Sequence, residues 1–133
     1  MTGEPTTNDQ LIALLAEYQD VVRRGDRAGF ARLYHPSATI SYPEGDQLVT
    51  STAAEFAAEV AGMVEAGQVV DERTRTLELS VTGSLANLRV GFDLQLADEH
   101  FQGTDFYTLI RLDDRWCITH KVYVMVPAAA PNE

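Results

Sequence analysis

The chain has 133 residues, 45% hydrophobic and 23% charged, which is one globular domain's worth of protein with enough apolar side chains to form a core without metal or disulfide staples. Its 20 acidic and 10 basic side chains give a formal charge of −10. A field of that sign repels phosphate backbones and anionic membrane surfaces, which argues against nucleic acid and membrane as partners.

The N-terminal stretch MTGEPTTNDQ has neither the basic nor the apolar block of a signal peptide, and no apolar run reaches the roughly 20 residues that span a bilayer. The expectation is a cytoplasmic protein with a flexible arm over residues 1–7, one domain over 8–126 and a flexible tail over 127–133. Leu11, Leu14, Leu15, Tyr18, Val21 and Val22 recur at helical steps, with Asn8 or Asp9 placed to cap the start and Gly25 to stop the helix. Asp26 caps a second, shorter helix that turns Phe30, Leu33 and Tyr34 inward and cannot continue through Pro36. A strand through Ala38, Ile40 and Tyr42 follows, then a turn at Pro43–Asp46 and a short return strand over Gln47–Thr50. Thr52 and Glu55 have the spacing of a capping box for a third helix, whose apolar face is Phe56, Val60, Met63 and Val64.

Beyond Gly67 the hydrophobic period drops to two. Leu77–Val81, Leu88–Leu96, Phe101–Leu112 and Trp116–Val126 read as four long strands joined by turns at Gly83-Ser84, Ala97–Glu99 and Asp113-Asp114. Helices followed by an antiparallel meander make an α+β pattern, and long twisted strands wrapped over a helix layer leave a cup between them. If the last hairpin pairs in simple register about Asp113-Asp114, then Tyr107 faces His120, and Asp105, Tyr107, Leu109, Trp116, Ile118 and His120 share the inner face. Thr104, Thr108, Arg115, Thr119 and Lys121 would then point outward; a bulge would exchange the two sets.

Three stretches carry a family resemblance: YQDVVRRGDRAGFARLYHPSATISYP, STAAEFAAEV and GTDFYTLIRLDDRWCITHKVY. Together with the element order they resemble the nuclear-transport-factor-2-like superfamily, closest to its lumazine-binding-like and SnoaL-like branch. The resemblance implies the cystatin-like cone fold, with three N-terminal helices packed on a strongly curved antiparallel sheet, and a homodimer through the open sheet face. Ketosteroid isomerase, a relative on this fold, is similar in having a tyrosine where Tyr18 precedes Gly25-Asp26. Its catalytic aspartate before a proline is matched here by Tyr42 before Pro43, a phenol and a poor base at neutral pH. SnoaL-type cyclases are similar in using an acid and a histidine on late strands, which Asp105 and His120 match.

The candidate ligand-binding residues are Tyr18, Tyr34, His35, Tyr42, Phe92, Tyr107 and Trp116, with Asp105 and His120 as a candidate acid–base pair. Each has a structural alternative: Tyr18 as core, His35 as a cap, Asp105 as a carboxylate satisfied by backbone amides. Three functions remain open on these residues. They are a binder of a small apolar ligand in the cup, a cofactor-independent isomerase, dehydratase or cyclase using Asp105 and His120, and an interaction module. No cofactor is indicated, because no Gly-rich phosphate loop follows a strand. No metal site is indicated either: Cys117 is the single cysteine, and His35, His100 and His120 lack the spacing that places two on one helix face.

Overall fold

The computed structural model describes residues 6–128. The chain opens with helix α1 (Thr7–Arg24), whose buried face is Leu11, Leu15, Tyr18, Val21 and Val22. Thr6 is the N-cap, and it exchanges hydrogen bonds with Asp9 in a capping box, so the helix begins earlier than Asn8 or Asp9 would have it. The expected flexible tail is corrected at its start, where Pro127 ends the last strand and the Ala128 amide donates to the His100 carbonyl; residues 1–5 and 129–133 lie outside the described residues. Gly25, at φ 62°, ends α1 in the left-handed conformation that glycine adopts without a Cβ penalty. Asp26 then accepts from the Gly29 amide to start α2 (Arg27–Leu33).

Tyr34, expected on the second helix, is instead the first residue of strand β1 (Tyr34–Glu44), because the residue two before Pro36 has already left helical geometry. Strand β2 (Gln47–Thr52) returns beside it and leads into α3 (Ala53–Glu65), capped by the expected Thr52–Glu55 box. The long strands are β3 (Val70–Thr82), β4 (Leu85–Leu96), β5 (Glu99–Leu112) and β6 (Arg115–Pro127). Strand β3 starts at Val70 rather than Leu77; its polar beginning, Asp71 to Thr76, conceals the alternation.

The sheet runs β2-β1-β6-β5-β4-β3. It is mixed, because β1 joins β6 in parallel while every other pair is antiparallel. The antiparallel sheet expected from the sequence is corrected at that one seam, which closes the chain's first strand onto its last. Helix α1 lies against β3 and α3 against β1, so the helices cover one face of the sheet.

The hairpin between β5 and β6 turns at Asp113 and Asp114, both at positive φ as a type I′ turn requires. Leu112 pairs with Arg115 and Leu109 with Ile118, as simple register demands. One residue later the count changes. Thr108 pairs with His120, leaving Thr119 as the extra residue of a β-bulge, with its hydroxyl donating to the Thr108 carbonyl at 3.0 Å. Beyond the bulge Tyr107 faces Lys121 and Asp105 faces Tyr123. The inner and outer sets on this half of β6 are therefore exchanged.

Candidate functional site

The covered face of the sheet and the helices above it enclose a cavity of about 400 Å³. Val22 of α1, Phe56, Val60 and Met63 of α3, and Phe92 and Leu94 of β4 supply apolar walls. Tyr42 and Tyr123 stand side by side on β1 and β6, their ring centres 5.2 Å apart. Gly103 opens the space for the Phe92 ring: a Cβ there would meet Phe92 Cζ at 2.6 Å and the Val124 carbonyl closer still.

Lys121 is the centre of the cavity's polar end. Its side chain is 4% exposed and its ammonium lies 3.7 Å from Asp105 Oδ1 while donating to the Tyr18 hydroxyl at 3.2 Å. Four rings surround the charge, with centres at 5.1 Å for Tyr18, Phe56 and Tyr123 and 5.5 Å for Tyr107. Ring faces are negative, so they compensate part of the ammonium's lost hydration. Asp105 Oδ2 accepts from the Tyr107 hydroxyl at 3.1 Å, and Tyr34 donates to Tyr18 at 3.0 Å. Tyr18 thus accepts from both Tyr34 and Lys121, which leaves its own proton for a further acceptor.

Glu72, on β3, is the second carboxylate of the cavity. It is 8% exposed, its Oε2 has no hydrogen-bond partner, and Asp105 Oδ1 has only the ion pair. Burial pushes the Glu72 carboxyl up to about 8, with the Asp105 charge adding to the rise and Lys121 opposing it. Burial also raises Asp105, against the pull of Lys121 and the Tyr107 hydrogen bond. For Lys121 burial favours the neutral amine, but the surrounding acids, Asp105 foremost, outweigh it and hold the group charged. With an ion pair and a phenol hydrogen bond on Asp105 and neither on Glu72, Glu72 is the carboxyl whose environment favours the protonated form more strongly. Burial raises the Tyr18 phenol well above its ordinary range, with Glu72 adding to it, so Tyr18 remains a neutral donor.

Of the residues singled out from sequence, Tyr18, Tyr42, Phe92 and Asp105 line this cavity. Tyr34 and Tyr107 stand behind it, each buried and bonded to a lining residue. Trp116 is buried elsewhere, beside a groove bordered by Gln10, Leu33 and Arg115. His35 sits at the start of β1, where its Nδ1 accepts from the Ser37 amide at 3.0 Å, and it does not line the cavity. His120 is the main correction. The bulge at Thr119 turns it to the opposite face from Asp105, where its Nδ1 lies 2.7 Å from the Thr39 hydroxyl, so the expected Asp105–His120 pair is not formed. Lys121 occupies the inward position instead. Lys121, Tyr123 and Glu72 were missed: the first two by one residue of register, Glu72 because Asp71-Glu72-Arg73 reads as a solvated charge run. Among the described residues no group of three or more His, Cys, Asp or Glu side chains is arranged to hold a metal ion. Among them too, no helix is long and apolar enough to cross a membrane.

A six-stranded mixed sheet with three helices over one face and a cavity between them is the architecture of the nuclear-transport-factor-2-like proteins. Solved structures bear this out. An NTF2-like protein of unknown function from Silicibacter pomeroyi superposes with a TM-score of 0.71 at 24% identity, over 91% of this chain and 99% of its own. One from Shewanella baltica gives 0.73 at 16% identity, over 96% and 100%. A conserved protein from Planctomyces limnophilus gives 0.75 at 14% identity, over 90% and 95%. The chain itself belongs to the family described as "Putative lumazine-binding", whose model matches residues 6–124. No curated protein sequence matches it.

Proposed function

We propose that the chain binds a small, largely apolar molecule in the cavity between α1, α3 and the sheet. The observation that supports this most directly is a space of about 400 Å³ with apolar walls and unpartnered polar atoms at one end. Buried polar atoms without partners cost free energy, and a ligand group that bonds them recovers it. The family's description makes lumazine one compound to test. A neutral solvatochromic dye such as Nile red should shift to the blue on mixing with the protein. Replacing Met63, on the cavity wall, with Trp should abolish the shift without unfolding the chain. Equal dye response in both proteins would sink the reading.

A second reading, proton-transfer catalysis without a cofactor, has one observation in its favour. Glu72, buried beside the Tyr18 phenol with its carboxyl raised to about 8, is poised to exchange a proton near neutral pH. Its acid–base group would be Glu72, in place of the Asp105–His120 pair. For the open face of the sheet we propose pairing with a second copy of the chain. Phe106 and Val124 are each about half exposed on neighbouring strands there (50% and 49%), and light scattering should give the dimer mass.

A further inference from the structure

The cavity has an unequal charge inventory. Glu59, Glu72 and Asp105 line it against one cation, Lys121. That cation is already engaged: Asp105 is its counter-charge, the Tyr18 hydroxyl accepts one of its protons and four aromatic rings surround it. Once Glu72 is ionised, an anionic ligand would thus meet a surplus of carboxylates and a cation already paired with Asp105. What is free is acceptor capacity. Glu72 Oε2 is buried without a partner, on a side chain nine-tenths buried in the cavity wall, and Asp105 Oδ1 has no hydrogen bond.

We propose that the molecule this cavity selects is an organic cation, a protonated amine on an apolar body, with Glu72 as its counter-charge. The inference rests on the ligand-binding reading above and adds the chemistry of the ligand. Lys121 demonstrates the principle in the protein itself, since an ammonium is held there by one carboxylate and aromatic rings out of reach of bulk water. Tyr42, Tyr123 and Phe92 offer a ligand ammonium comparable ring surface. The wider field favours the same sign, because a chain of formal charge −10 draws cations toward it.

Binding is then linked to protons. The groups that act on Glu72 are Asp105 and Tyr107 from β5, Lys121 from β6 and Tyr18 from α1, with Glu59 of α3 also at the cavity. Of these, Lys121 alone is cationic, and it stays charged throughout the neutral range. An incoming ammonium needs Glu72 ionised, so below the carboxyl's titration the Glu72 proton must leave to solvent as the ligand enters. Affinity for an amine should therefore fall as pH drops, by up to about tenfold per unit, whereas affinity for a neutral isostere should hold level or rise.

The test uses three ligands of one skeleton, phenethylamine, phenethyl alcohol and hydrocinnamate, titrated calorimetrically against the intact chain and its Glu72→Gln variant. At about pH 8.5 the amine should bind at least about tenfold tighter than the alcohol (about 1.4 kcal/mol), with hydrocinnamate weakest. Glu72→Gln should erase the amine's advantage, read as the ratio of amine to alcohol affinity within each protein. The wild-type pH series reads the same linkage if that variant does not fold. Alcohol bound as tightly as amine, a preference for the carboxylate, or an amine preference that survives in Glu72→Gln would overturn the inference while leaving the cavity a binding site. Failure of all three ligands and of Nile red would overturn the binding reading as well.

Discussion

Lys121 and Asp105 form a buried ion pair, with Nζ 3.7 Å from Oδ1 and side chains 4% and 1% exposed. They come from adjacent antiparallel strands and reach the same face because of one extra residue, Thr119. Taking both charges out of water is costly, and the geometry offsets the cost with the Tyr107 and Tyr18 hydroxyls and the surrounding rings.

Removing one partner should show that cost. Lys121→Met leaves Asp105 buried without a counter-charge and Tyr18 without its donor, and we expect a loss of about 3–5 kcal/mol in urea unfolding at neutral pH. The double variant Lys121→Met/Asp105→Asn should recover part of it, since no unpaired charge remains. A single-variant loss below about 1 kcal/mol would show that the pair is solvated.

Glu72 makes stability depend on pH in a direction opposite to that of an exposed carboxylate in a salt bridge. Its carboxyl is raised in the folded protein from an ordinary 4.5 to about 8. Below 4.5 both folded and unfolded chains hold the proton, and the contribution is complete. Between those values the unfolded chain releases it and the folded chain keeps it, so stability falls with rising pH, by about 1.4 kcal/mol per unit from this group. Above about 8 the fall ends. Urea midpoints measured from pH 5 to 9 should decline in the wild type, and Glu72→Gln should remove this component. A curve with the same slope in the variant would assign the dependence to other groups.

His120 and Lys121 give a direct test of the register. His120→Ala loses the hydrogen bond to Thr39 and should cost about 0.5–1.5 kcal/mol, with Nile red binding unaffected. Deleting Thr119 removes the bulge residue while leaving His120 opposite Thr108 and Lys121 opposite Tyr107, so that chain should keep cooperative unfolding and dye binding, and loss of both would overturn the assigned register. Loss of dye binding in His120→Ala would put the imidazole back in the cavity.

Much of the fold was legible because it is local. The Thr52–Glu55 capping box, the left-handed Gly25, the break before Pro36 and the alternation of Leu88 to Leu96 each act within a few residues, where backbone sterics and hydrophobic period leave a mark in the sequence. The site was legible in half. Tyr18, Tyr42 and Asp105 were readable as polar groups on apolar faces and Phe92 as an apolar strand residue, and all line the cavity. Glu72 was not, since nothing local separates a carboxylate that will be roofed over by α1 and α3 from one left in water.

What the sequence determined alone is the alternation on each strand and the turn that starts the last hairpin. What tertiary structure decided is which alternation set faces inward after Thr119, and that β1 closes in parallel on β6. The reason is that side-chain direction in a strand has period two, so a single unpaired residue inverts every position beyond it. That insertion is stabilised by contacts between strands, here the Thr119 hydroxyl on the Thr108 carbonyl and Lys121 among Asp105, Tyr18 and four rings, and not by any residue's own preference.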